Sequence, residues 1–176
     1  MRLPLMSEYV ESGKAMFTKV TTQYHREMIA SLAREIWTEH YIPIIGKEQV
    51  EYMLDRFQSE EALAEQIKAG SSYFIIKEDD QPIGYMGIQF KDDELFLSKL
   101  YVKSVKRGRG FGKKAIHYCE NIAKEKGLTK IVLTVNKNNL SSIKVYEAVG
   151  FKNLGSIIQE IGGGFIMDDY KMGKIL

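Results

Sequence analysis

Near the middle of the chain an apolar run, Leu100-Tyr-Val102, gives way to a basic segment with glycines at 108, 110 and 112, and an amphipathic pattern begins at once behind it. Glycine removes Cβ atoms from a loop that runs into a helix N-terminus, so backbone N–H groups can converge on a ligand there. The helix dipole adds partial positive charge at the same point. Strand, glycine turn and helix in that order predict a phosphate cradle, and the remaining chain must fold so as to present it. The positive charge of Lys106, Arg107, Arg109, Lys113 and Lys114 is a local matter. With 25 Lys and Arg against 23 Asp and Glu, the formal charge of +2 gives no overall field that would draw nucleic acid or a membrane surface.

The flanking patterns set the architecture. Residues 1–15 show no sustained period and read as a loose leader, with a single domain over 16–176. Met16 to Val20 form a short strand, and Thr21 or Thr22 caps a helix that carries Met28, Ile29, Leu32, Ala33 and Ile36 and ends near Trp37. Pro43 and Gly46 make the next stretch a loop. Two further helices follow, one carrying Val50, Met53, Leu54 and Phe57, the other capped by Ser59 and stopped at Gly70. The period then changes. Ser72–Glu78, Pro82–Lys91 and Glu94–Val102 alternate as strands around Asp-rich turns and read as an antiparallel meander. A helix from Gly110 to Lys126, a buried strand Ile131–Val135, a short helix Ser141–Val149 and two strands around Gly162-Gly163-Gly164 complete the order. This is an α+β chain with helices on both faces of one sheet.

Two common phosphate fingerprints fail. A dinucleotide loop needs a third glycine where Lys113 stands, and a P-loop needs Ser or Thr where Lys114 stands and glycine where Arg107 stands. What the chain does carry is Arg107-x-x-Gly110-x-Gly112 behind a strand, and later Asn139-x-x-Ser142-x-x-x-Tyr146-x-x-x-Gly150-Phe151. In this order and spacing the two motifs resemble the GNAT superfamily of acetyl-CoA-dependent N-acyltransferases, and the element order agrees from about Phe17 to Leu176. The resemblance implies a GNAT-like fold: a mixed, mainly antiparallel central sheet of about seven strands, splayed after the fourth.

It also implies roles. Leu100, Tyr101 and Val102 would lie on the splayed strand that receives the pantetheine arm, with the Leu100 N–H facing the thioester carbonyl. Arg107, Gly108, Arg109, Gly110, Phe111, Gly112 and Lys113 would cradle the pyrophosphate of acetyl-CoA, and Asn139 would bond near the pantetheine or the pyrophosphate. Tyr146 would point at the sulfur as general acid. Many relatives place a glutamate base on the fourth strand, but the inward positions here read as Phe96 and Ser98. Glu94, at the start of that strand, is the remaining carboxylate candidate. No metal is called for.

For the acceptor, Trp37-Thr-Glu39-His40-Tyr41 followed by Ile42-Pro43-Ile44-Ile45 is similar to the PaiA-type polyamine acetyltransferase subgroup. Trp37, Glu39, His40 and Tyr41 are then candidate contacts to a cationic amine through ring faces and charge. The expectation is acetyl transfer to a small primary amine by direct attack. The alternatives are acetylation of a peptide or protein N-terminus or lysine, and a regulatory acyl-CoA-binding module without turnover. A homodimer is compatible with the resemblance. Cys119 falls on the apolar helix face and reads as core. A single cysteine, no signal-peptide pattern and no bilayer-length apolar run predict a cytoplasmic protein.

Overall fold

The computed structural model describes residues 15–176. The leader expected over 1–15 lies outside the described residues except for Ala15, which opens the first strand and is buried. In chain order the elements are β1 (Ala15–Lys19), α1 (Gln23–His40), α2 (Ile42–Ile45), α3 (Lys47–Gln58), α4 (Glu60–Lys68), β2 (Ser72–Glu78), β3 (Gln81–Lys91) and β4 (Glu94–Val102). They continue with α5 (Phe111–Glu125), β5 (Lys130–Asn136), α6 (Leu140–Ala148), β6 (Lys152–Gly162) and β7 (Phe165–Ile175). The Thr22 hydroxyl accepts from the His25 N–H and the Ser59 hydroxyl from the Ala62 N–H, each satisfying a donor that a helix start leaves open. Most boundaries fall within a residue or two of the sequence reading, and the main difference lies after Trp37. Helix α1 runs on to His40, and the expected loop contains the single turn α2, because Pro43 sits in the first turn of that helix, where its missing N–H costs nothing.

The strands form one seven-stranded sheet in the order β1-β2-β3-β4-β5-β7-β6. All neighbours are antiparallel except β4 and β5, which run parallel and pair only at Glu94–Phe96 against Lys130–Val132. Beyond Phe96 the two strands part. One face of the sheet packs Leu95, Leu97, Ile131 and Leu133 against the α5 residues Ala115, Ile116, Cys119 and Ile122. The other packs Tyr73, Ile75 and Tyr85 against Ile29, Leu32, Ile36 and Trp37 of α1 and Val50 and Leu54 of α3. Cys119 is fully buried beside the Met86 sulfur, and burial pushes its thiol up to about 12, which makes it a core side chain without thiolate character.

A register shift explains the inner end of β4. Gly87 of β3 pairs with Lys99 and the next residue, Ile88, pairs with Leu97, so Ser98 is an extra residue in a β-bulge. Side chains alternate with period two, and an inserted residue reverses their phase. Leu95 and Leu97 face α5 before the bulge; Leu100 and Val102 face that side after it, leaving Tyr101 against the α1 core. Gly87 is required beside the bulge, since a Cβ there would stand 2.7 Å from the Tyr73 ring and 3.1 Å from Ser98 Oγ.

Candidate active site

The parting of β4 from β5 leaves backbone groups open. The Lys103 N–H donates to the Ile83 carbonyl at 2.8 Å. Hydrogen-bonded pairs alternate along an antiparallel ladder, so Tyr101 and Lys99 also turn their N–H groups toward β3. Leu100 and Val102 then turn theirs toward the gap, where β5 no longer pairs. A cleft of about 390 Å3 occupies that gap, floored by Leu100, Tyr101 and Val102 and closed on the far side by Ser142, Val145 and Tyr146 of α6.

At its mouth the glycine loop turns into α5. Gly110 holds φ 86°, a left-handed conformation that lets the loop enter the helix without a side-chain cap. The first intrahelical bond runs from Lys114 N–H to the Gly110 carbonyl, so the amides of Phe111, Gly112 and Lys113 have no helical acceptor and stand at the positive end of the dipole. Gly108, Gly110, Gly112 and Lys113 line the cleft. These groups fit a pyrophosphate. The Arg107 N–H is not among them, because it donates to the Ser104 carbonyl in the turn before the loop.

The loop's cations are divided. Lys106 and Arg109 both reach Glu78 of β2, at 2.7 and 2.6 Å, and the hydrogen bond from Lys106 leads in holding the Glu78 carboxyl below its ordinary value. Arg109 is thereby turned away from the cleft. Arg107 donates through Nε to the Val102 carbonyl at 3.0 Å and through a terminal nitrogen to His40 Nδ1 at 2.9 Å. Guanidinium only donates, so His40 Nδ1 accepts and its Nε2 carries the proton to Asn139 Oδ1 at 3.0 Å. The Asn139 amide in turn donates to the Tyr41 hydroxyl at 3.1 Å. Burial, with the Arg107 charge opposing protonation, lowers the His40 pKa and keeps the ring neutral. Arg107, His40, Asn139 and Tyr41 thus form one chain of contacts from the glycine loop to the other side of the sheet.

On that side lies a second cavity, also about 390 Å3, lined by Trp37, Gln58, Tyr73, Lys99, Asn136 and Asp169 among others. Tyr41, Leu100, Tyr101, Ser142 and Tyr146 line both cavities, so the two meet where β4 has left β5. Tyr146 is buried, packs edge-on against Phe151 at 5.7 Å, and is held protonated because burial pushes its hydroxyl above the ordinary tyrosine value. Lys99 donates to the Phe57 carbonyl, Gln66 Oε1 and the Tyr73 hydroxyl at 3.1, 2.8 and 2.5 Å, and burial lowers its pKa to about 7. Asp169 of β7 is 4% exposed and its Oδ1 has no hydrogen-bond partner; burial, then the Asp168 charge, raises it to about 6.

The residues singled out in the sequence distribute as follows. Leu100, Tyr101, Val102, Arg107, Gly108, Gly110, Phe111, Gly112, Lys113 and Tyr146 come together around the first cleft, and Arg109 does not. Asn139 is buried behind it, lining the second cavity and tying His40 to Tyr41. Of the acceptor candidates, Trp37 and Tyr41 line the second cavity, stacked at 4.4 Å, with the indole N–H donating to the Tyr85 hydroxyl. His40 lines the first cleft instead, and Glu39 accepts from Ser104 Oγ at 2.6 Å, lining neither. Glu94 sits at the closed end of the β4–β5 gap, paired with Lys130 at 3.1 Å, and the structure does not bring it to the site. Phe96 lies at that closed end too, and Ser98, the bulged residue, lines the second cavity with an unpartnered hydroxyl. Asp169 and Lys99, which also line the second cavity, belong to no sequence motif. For Asp169 a signal existed, since adjacent carboxylates inside a strand, Asp168-Asp169, put one on each face.

The sheet thus splays beside a glycine loop with open amides, and a tyrosine stands where the two cavities meet. The chain belongs to the acetyltransferase (GNAT) family, whose model matches residues 29–151. Acetyl-CoA is the donor in that family, and the open strand amides and the loop fit it. Among solved structures the chain is similar to a PaiA N-acetyltransferase from Thermoplasma acidophilum in complex with coenzyme A, at 23% identity, a TM-score of 0.75, and 91% and 99% coverage of the two chains. It is likewise similar to a chimera of the spermidine N-acetyltransferase SpeG from Vibrio cholerae with hSSAT, at 18% identity, a TM-score of 0.70, and 93% and 96% coverage. Human N-acetyltransferase 8B is 25% identical over 130 residues, covering 70% of this chain and 53% of the relative. The chain thus spans about half the length of the curated relatives it matches. Among the described residues no helix is long and apolar enough to cross a membrane.

Proposed function

We propose that this protein transfers the acetyl group of acetyl-CoA to the primary amine of a small cationic acceptor of the polyamine type, by direct attack with donor and acceptor bound together. The observation that carries this reading is the meeting of the two cavities at Leu100, Tyr101 and Tyr146, which gives a donor in the first cleft and an amine in the second a shared point. There the Leu100 N–H faces the gap and stabilises negative charge on the carbonyl oxygen as the carbon is attacked. The Tyr146 hydroxyl donates its proton to the departing sulfur. The loop amides and Arg107 bind and orient the donor, contributing to affinity more than to the chemical step.

The acceptor class is supported by the aromatic residues Trp37, Tyr41, Tyr73 and Tyr101 around the second cavity and by the neutral amides of Gln58, Gln66, Gln89 and Gln159. The likeness to PaiA and SpeG structures points the same way. A peptide acceptor fits less well, since the Trp37–Tyr41 stack walls the cavity on the helical side. Release of free CoA thiol from acetyl-CoA is the test, with spermidine, spermine, putrescine, free amino acids and short peptides as acceptors. Turnover fastest with a polyamine is expected. Preference for peptides or amino acids replaces the acceptor class, and absence of turnover with every amine refutes the enzymatic reading.

A further inference from the structure

The proposed reaction leaves one requirement unmet. An alkyl amine is an ammonium near neutral pH and cannot attack until it loses a proton. Glu94 is at the closed end of the gap and paired with Lys130, and His40 Nδ1 is occupied by Arg107 on the donor side. The second cavity, in contrast, contains a carboxylate with no assigned task.

Asp169 gets there by alternation. In β7, Met167 and Asp169 face the cavity and the α1–α3 core, while Tyr170 and Met172 face the opposite core. Its strand neighbours in register are Asn136 of β5 and Ile157 of β6, neither of them a cation. Lys137 sits beyond, paired with Asp168 at 2.7 Å. Asp169 is therefore a buried carboxylate whose Oδ1 lacks any hydrogen-bond partner, lining a cavity that meets the donor cleft at Leu100 and Tyr146. Desolvating such a group costs stability unless something charged or hydrogen-bonding binds it.

We propose that Asp169 is the carboxylate that pairs with the acceptor's ammonium in the second cavity and takes its proton before attack. This rests on the acetyltransferase reading above and deepens it, since it specifies a primary ammonium as the recognised group. The ammonium gives one proton to the Asp169 carboxylate and becomes a neutral amine. The amine nitrogen forms a bond to the thioester carbon, and the carbon–sulfur bond breaks with its electron pair going to sulfur, which takes the Tyr146 proton. The second proton of the nitrogen returns to the Tyr146 oxygen, and Asp169 gives its proton to water. The sum is amide, CoA thiol and one proton. Because burial raises Asp169 to about 6, it is ionised at neutral pH yet a better proton acceptor than a solvated aspartate. The other titratable groups lining the cavity are Lys99 and Tyr101 of β4, Tyr41, Tyr73 of β2 and Tyr146 of α6. Of these only Lys99, at about 7, titrates near neutrality. Its Nζ is already engaged within the protein by the Phe57 carbonyl, Gln66 and Tyr73.

The test compares the pH profile of kcat/KM for wild type, Asp169→Asn and Asp169→Glu, with spermidine and with methoxyamine, a weak base that is already neutral at pH 7. Wild type is expected to lose activity below an acid limb near 6. Asp169→Asn should fall roughly a hundredfold or more with spermidine at neutral pH, lose that limb and recover toward alkaline pH, while falling far less with methoxyamine. Asp169→Glu should keep part of the activity and the limb. Unchanged affinity of Asp169→Asn for CoA by calorimetry, with an unchanged emission maximum from Trp37, shows the fold intact. An equal loss with both amines, or a limb that survives in Asp169→Asn and so belongs to His40 or Lys99, overturns the proposal. If Asp169→Asn does not fold, the wild-type profile decides, and no acid limb with spermidine overturns it. Wild type inactive with every amine refutes instead the acetyltransferase reading on which this depends.

Discussion

Lysine 99 offers a quantitative check on the polar wall of the second cavity. Burial lowers its pKa from the ordinary 10.5 to about 7. Between those values the unfolded chain holds a proton that the folded chain has lost, so wild-type stability rises with pH through that window and is lowest below it. One proton corresponds to about 1.4 kcal/mol per pH unit. From about pH 6 to about pH 9 the folded protein should therefore gain roughly 3 kcal/mol from this residue alone, and about 5 kcal/mol over the full span. Lys99→Met keeps the stem and removes the charge together with the hydrogen bonds that Lys99 donates, up to three as the ammonium and no more than two as the neutral amine, each contributing roughly 1 kcal/mol. At acid pH the relieved desolvation offsets the lost bonds, and the variant should match or exceed wild type; at alkaline pH only the loss remains. Urea unfolding followed by fluorescence of Trp37, the chain's single tryptophan, reads both proteins at each pH. Other titrating groups cancel in the difference between wild type and variant. A difference that stays flat from about pH 6 to 9 would refute a depressed Lys99 and with it the account of the cavity as desolvating.

The remaining predictions concern the two ends of the site. Tyr146→Phe should lower kcat by roughly a hundredfold with little change in CoA affinity measured by calorimetry, because the hydroxyl is needed only as sulfur departs. Arg107→Ala should raise the KM for acetyl-CoA about tenfold, the equivalent of about 1.4 kcal/mol, through loss of its contacts to the Val102 carbonyl and His40. In the same variant, NMR titration should find the His40 pKa moved upward, since the Arg107 charge opposes its protonation.

The element order, the glycine loop and the α6 tyrosine were legible because each depends on local chemistry: period, capping, and the backbone freedom of Gly110. What escaped depends on pairing. The phase reversal at Ser98 is written in the register of β3 against β4, and nothing in Glu94–Val102 alone marks one residue as extra. Without it, simple alternation would put Leu100 and Val102 on the Ser98 face; with it, Lys99 and Tyr101 stand there. The Trp37–Gly46 stretch was found, yet its members divide between two cavities, because α1 continues to His40 and swings that ring to the Arg107 side. Arg109 read as a phosphate contact by its place in the loop, but Glu78, 31 residues earlier, turns it away. Asp169 stands far along the chain from every motif and reaches the site only through the β5-β7-β6 order.

The three residue pairs between β4 and β5 have a mechanical meaning. They make the sheet two plates on a short hinge, with a wedge between them that is closed at Phe96 and Val132 and widest toward Val102. A wedge admits a narrow chain from its open edge and halts it where the walls converge. The donor cleft begins only at Leu100, so the length over which β4 and β5 stay paired sets how far inward the open part of the wedge extends.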